Sequence, residues 1–83
     1  MNYYVQFEGN ALVQLNGLPS DAFDALTDRV VDLVRAPWDA ELMDQGGNPA
    51  RRQAVFGQGL GLITFDVDDR AELIRIFDIA WIG

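Results

Sequence analysis

The chain has 83 residues, with thirteen acids against six arginines, a formal net charge of −7, and no lysine, histidine or cysteine. That length fills one domain over residues 1–83 and leaves nothing for a second core. The charge excludes a phosphate-binding surface spread over the whole molecule. The missing cysteine excludes disulfides and thiolate metal sites, and the missing histidine removes the commonest general base and metal ligand. An excess of acid also serves simply to keep a small domain in solution.

No apolar run approaches the ~18 residues of a membrane span. Tyr3-Tyr4-Val5-Gln6-Phe7 follows Met1 with no basic segment leading an apolar one, so a cytoplasmic location is expected. Tyr3, Val5 and Phe7 alternate with Tyr4, Gln6 and Glu8, the period of a strand with one buried face. Asn10 is expected to cap a short helix carrying Ala11, Leu12, Leu15 and Leu18 on one side. Gly17, through left-handed backbone, and Pro19, lacking an amide hydrogen, would end it. A second helix opens at Ser20 or Asp21 and runs to about Arg35, with Phe23, Leu26, Val30, Leu33 and Val34 in one stripe. Asp24, Asp28 and Asp32 sit four apart on another face and read as solvated. Pro37 stops this helix, and Trp38 is placed to pack back under its end.

A polar loop spans Asp39 to Pro49, with Gly46-Gly47-Asn48-Pro49 as its most flexible part. From Arg51 the pattern changes to three strand-like runs: Gln53–Phe56, Leu60–Phe65 and Leu73–Ile82. Glycines at 57, 59 and 61 and the Asp68-Asp69 pair mark the reversals between them. The expectation is therefore an α+β domain of order β-α-α-β-β-β, with both helices on one face of a four-stranded, mainly antiparallel sheet. The first strand belongs inside or beside the three-stranded meander.

Several segments, taken in order, carry a likeness to known proteins: Tyr4-Val5-Gln6-Phe7, the Ala11-Leu12…Leu15…Leu18-Pro19 helix, Leu33-Val34-Arg35-Ala36-Pro37-Trp38, Arg51-Arg52-Gln53-Ala54-Val55-Phe56-Gly57, and Phe65-Asp66-Val67-Asp68-Asp69. Together they resemble the RelE/ParE superfamily of toxins from type II toxin–antitoxin modules, across nearly the whole chain. The resemblance implies a growth inhibitor that cleaves messenger RNA on the ribosome or blocks DNA gyrase, neutralised by a cognate antitoxin and needing no cofactor or metal. An acidic toxin implies a basic antitoxin.

Cleavage of this kind uses the ribose 2′-hydroxyl as nucleophile. It needs a base for that hydroxyl, a cation for the phosphate and an acid for the leaving oxygen. By position, the resemblance assigns Arg51 and Arg52 to the family's basic strand, where either is a candidate catalytic phosphate clamp through its planar fork of donors. The competing reading pairs them with nearby acids. Tyr3 and Tyr4 are candidate phenolic acids, or half-buried packing. Trp38 and Trp81 read as core or interface anchors ahead of bases for stacking nucleotides. Where many relatives end in arginine or tyrosine, this chain has Asp78, Ala80 and Trp81. That departure supports an alternative on the same scaffold: a catalytically degenerate binding protein that pairs with a basic partner.

Overall fold

The computed structural model describes residues 3–42 and 50–83; the Gly46-Gly47-Asn48-Pro49 segment lies outside the described residues. The elements are β1 (Tyr4–Phe7), α1 (Asn10–Asn16), α2 (Ser20–Arg35), a 3-10 turn at Pro37–Asp39, β2 (Glu41–Leu42), β3 (Arg51–Phe56), β4 (Gly61–Asp68) and β5 (Leu73–Trp81). The sheet order is β1-β5-β4-β3-β2. The expected four strands are present, and the two-residue β2 lengthens the sheet at its β3 side, taking in the start of what the sequence presents as loop.

The β3–β4–β5 meander is antiparallel, and β1 lies parallel to β5 with Tyr4 opposite Leu73 and Phe7 opposite Ile76. Parallel neighbours need a long connection, and β1 and β5 are separated in sequence by α1, α2 and the strands β2, β3 and β4. Val5 and Phe7 turn inward while Tyr4 and Gln6 face solvent, as the period of two predicts. Ala11 of α1 and Leu26 and Leu33 of α2 join Ala54, Phe56, Ile63, Phe65, Val67, Ile74, Ile76 and Ile79 in one core on one side of the sheet. Phe65, Ile63, Ile74 and Ile76 are fully buried there.

Three local expectations change. Gly9, at φ 53° and ψ −120°, turns the chain from β1 into α1 and takes the cap position, so Asn10 is the first helical residue and its side chain caps nothing. A backbone in that region is open to glycine and costly for other residues. Gly17 has φ −92°, so α1 ends without a left-handed residue; its N–H donates to the Gln14 carbonyl and the Leu18 N–H to the Leu15 carbonyl, and Pro19 holds the extended backbone that leads into α2. Finally, α2 faces the core with Ala22, Leu26 and Leu33, which leaves Phe23, one residue and about 100° further round, at the rim with 45% exposure. Leu12 is likewise exposed.

A bulge in β5 accounts for an irregularity in its alternation. Thr64 lies opposite Asp78 and Phe65 opposite Ile76, so Phe77 has no cross-strand partner. An extra residue in one strand shifts the phase of its side chains. Ile74 and Ile76 therefore share the core with Ile79, while Phe77 is left on the far side. The β3–β4 reversal runs through three consecutive positive φ values at Gly57, Gln58 and Gly59. Gly57 also needs to be small, because a Cβ there would stand 2.7 Å from the Trp81 ring.

Candidate functional site

The two arginines at the start of β3 point to opposite sides, because successive strand residues do. Arg51 lies opposite Asp66, on the helix-free face. Its Nε and Nη2 donate to the two Asp66 carboxylate oxygens at 2.9 and 3.2 Å, and its guanidinium lies 4.4 Å from the centre of the Phe77 ring. The hydrogen bonds to Asp66 hold the Arg51 pKa above its ordinary value. Asp66 in turn lies opposite Arg75 on β5. Arg75 reaches Glu8 at 3.4 Å and Asp68 at 3.5 Å. Both cations of this face are thus engaged by carboxylates, with Asp78 as a further acid bound by the Gln14 amide at 3.1 Å.

Gln14 has a second bond that explains how α1 is seated. β1 stops pairing with β5 at Ile76, so the rest of that edge lacks a strand partner. There the Gln14 side-chain carbonyl accepts the Ile79 backbone N–H at 2.7 Å. One side-chain amide thus satisfies a half-buried edge donor and holds a carboxylate.

Arg52 lies opposite fully buried Phe65 and therefore shares the helix side of the sheet. Its guanidinium is 4.7 Å from the centre of the Trp38 ring. Among the described residues it makes no ion pair, and its Nε is buried without a hydrogen-bond partner. Trp38 donates its indole N–H to Asp69 at 2.8 Å, and Tyr3 donates its hydroxyl to the same oxygen at 2.6 Å. Those bonds, Tyr3 first and then Trp38, lower the Asp69 pKa, while the Asp69 acceptor, aided by desolvation, raises that of Tyr3. The phenol thus keeps its proton and the carboxylate its charge. Chemically the cluster offers an aromatic platform, a cation with donors to spare and a carboxylate, arranged around the turn between β4 and β5.

The isolated RelE toxin of E. coli superposes with a TM-score of 0.82 at 17% identity, over 98% of this chain and 85% of that one. The toxin–antitoxin complex RelBE2 from Mycobacterium tuberculosis gives 0.83 at 20% identity, over 99% and 100%. An archaeal RelE–RelB complex from Pyrococcus horikoshii gives 0.72 at 16% identity, over 100% and 98%. The chain has the RelE fold. No family model matches the sequence, and no curated protein matches it.

Within this RelE fold, the residues singled out by sequence separate into two groups. Arg52, Trp38 and Tyr3 come together around Asp69, whereas Arg51 stands on the other side of the sheet. Tyr4 is exposed and points away from that cluster's side of the sheet, and Trp81 stacks on Phe56 at 5.6 Å as a packing residue. Sequence reasoning missed Asp66 and Asp69 as partners and missed Gln14. The alternation of β3 was a usable signal that Arg51 and Arg52 diverge; the pairing of Arg51 with Asp66 depends on cross-strand register, which composition does not carry.

Proposed function

We propose that the chain is the toxin component of a type II toxin–antitoxin module, arresting growth through translation or gyrase until an antitoxin covers it. The supporting observation is the RelE fold over essentially the entire chain, shared with proteins solved as RelE toxins and in complexes with RelB antitoxins. In this reading Arg52 is the phosphate clamp, since its donors are uncommitted, while Arg51 serves the sheet through Asp66. The formal charge of −7 favours a basic antitoxin, as complementary fields both speed encounter and select partners.

One observation favours a second reading, a RelE-fold binding protein that no longer cleaves and pairs with a basic protein. Both arginines of the helix-free face are already neutralised, and an RNA backbone approaching it meets an excess of carboxylates. The fold hosts either role, so the residues decide between them. Induction of the chain in a bacterial host, with and without the adjacent reading frame, separates the two. Arrest relieved by the neighbour supports the toxin. Growth and messenger RNA left intact in both arms remove it in favour of the binder.

A further inference from the structure

We infer that Asp69 is a positioning residue for Arg52 and acts through Trp38: the carboxylate fixes the indole, and the indole holds the guanidinium for a phosphate without neutralising it. The inference rests on the reading of Arg52 as a phosphate clamp and adds what keeps that clamp in place.

The two arginines that open β3 are supported in contrasting ways. Arg51 is held by a carboxylate, which fills two of its donors and cancels its charge. Arg52 has the Trp38 ring 4.7 Å from its guanidinium and, among the described residues, no acid within ion-pair distance. A ring face attracts a cation through its quadrupole and leaves the in-plane N–H donors of the fork available. Such support works only while the ring keeps its plane. Trp38 sits on a single 3-10 turn, Pro37–Asp39, and is 38% exposed. Left to itself, an exposed side chain changes rotamer in picoseconds to nanoseconds.

The indole N–H removes that freedom by donating to Asp69 Oδ1 at 2.8 Å. Asp69 is itself held on several sides. Its carbonyl accepts the Glu72 N–H at 3.3 Å, and the neighbouring Asp68 carboxylate accepts the Ala71 N–H at 3.1 Å, which closes the turn. The Tyr3 hydroxyl donates to the same Oδ1 at 2.6 Å, and the Tyr3 N–H is anchored on the Val34 carbonyl at 2.8 Å. A carboxylate engaged in this way stays off the guanidinium yet decides where it lies. One ring thus joins the β4–β5 turn to β3, its edge tied to Asp69 and its face under Arg52. Asp69 also repels a phosphate by its charge, so its two effects on an anion at Arg52 have opposite signs.

The test follows the Arg52 Nε–H resonance of the isotope-labelled full chain by NMR during titration with inorganic phosphate at low ionic strength. Asp69→Ala removes the acceptor and is expected to weaken phosphate binding about two- to tenfold, the span of one net hydrogen bond. Asp69→Asn keeps an acceptor for the indole and drops the charge, so it should bind phosphate at least as tightly as the unaltered chain. Trp38→Phe keeps a ring face without the N–H and should show the same loss as Asp69→Ala. Combining the two should lose no more than either alone, because both cut one link. Tighter binding in both Asp69 variants would mean that only charge matters, and it overturns the inference. Unchanged affinity in folded Asp69→Ala, or additive losses in the double variant, does the same. Should Asp69→Ala misfold by near-ultraviolet circular dichroism, Trp38→Phe is held to the same expectation, and unchanged affinity there is equally fatal. An Arg52 resonance that ignores phosphate in the unaltered chain removes the clamp and the inference together, whereas phosphate binding indifferent to Asp69 and Trp38 removes the inference alone.

Discussion

Replacing Gln14 by leucine tests how the first helix is fastened to the sheet. The change keeps an apolar-compatible volume at the α1–β5 contact while removing both polar ends of the side chain. The Ile79 N–H loses its only acceptor among the described residues, a bond of 2.7 Å, and Asp78 loses a donor at 3.1 Å. An orphaned buried donor costs about 1–3 kcal/mol. Ile79 is 3% exposed, but its amide bond is only part-buried, so the lower half of that range applies. The expected loss is about 1–2 kcal/mol, which in a domain of this size lowers Tm by roughly 4–16 °C. Asn16→Leu, on the exposed side of the same helix, should stay within about 0.5 kcal/mol. Thermal melts of the two variants give the comparison, and amide exchange at Ile79 should accelerate only in the first. Equal melts for Gln14→Leu and the unaltered chain, with Ile79 still protected, would show that α1 is held by packing alone.

Two further outcomes follow from the geometry. Gly57→Ala places a Cβ 2.7 Å from the Trp81 ring at φ 60°, whereas Gly59→Ala at φ 88° meets nothing within 4 Å. Both pay the left-handed penalty of about 1–2 kcal/mol, so Gly57→Ala should have the distinctly lower urea midpoint; equal midpoints would contradict the close approach. The Asp69 carboxylate has its pKa depressed by Tyr3 and Trp38, so its stabilisation is present above the unfolded value of about 3.9 and is lost as pH falls through the lower folded value. The Tyr3 pKa is raised by the same bond, so that contribution is present below about 10 and is lost as pH rises through the higher folded value. The stability gap between the unaltered chain and Asp69→Asn should therefore be full at neutral pH and close towards both extremes. A gap unchanged down to pH ~2 would remove the carboxylate from this account.

How much of this was legible beforehand depended on the range of the interaction. The alternation of β1 and the three runs of the meander are set by local periodicity, and a strand formed at each, while the α2 stripe holds for Leu26, Val30, Leu33 and Val34 and leaves Phe23 at its rim. The apolar run of β5 concealed its bulge, because Ile74, Ile76 and Ile79 are equally apolar in either phase and only pairing with β4 distinguishes them. Asn10 has the chemistry of a cap, yet Gly9 supplies a backbone angle that relocates the helix start. The likeness to RelE toxins was visible in the order of segments, since a fold is specified by pattern more robustly than by identity. The contrast between Arg51 and Arg52 was not visible, because it requires knowing that Asp66 stands opposite the first and that Trp38 returns to the second. Likewise Asp69 read only as a turn residue, although the turn places it between the beginning of the chain and the end of α2.

The most direct test of a toxin whose working cation is Arg52 compares growth on induction of three chains: unaltered, Arg52→Ala and Arg51→Ala. Losing the stack on Trp38 removes about 0.5–1 kcal/mol, so Arg52→Ala remains folded and its failure to arrest growth is a loss of chemistry. The expected result is arrest by the unaltered chain and by Arg51→Ala, and normal growth with Arg52→Ala. Arrest by folded Arg52→Ala, or no arrest by the unaltered chain, contradicts it.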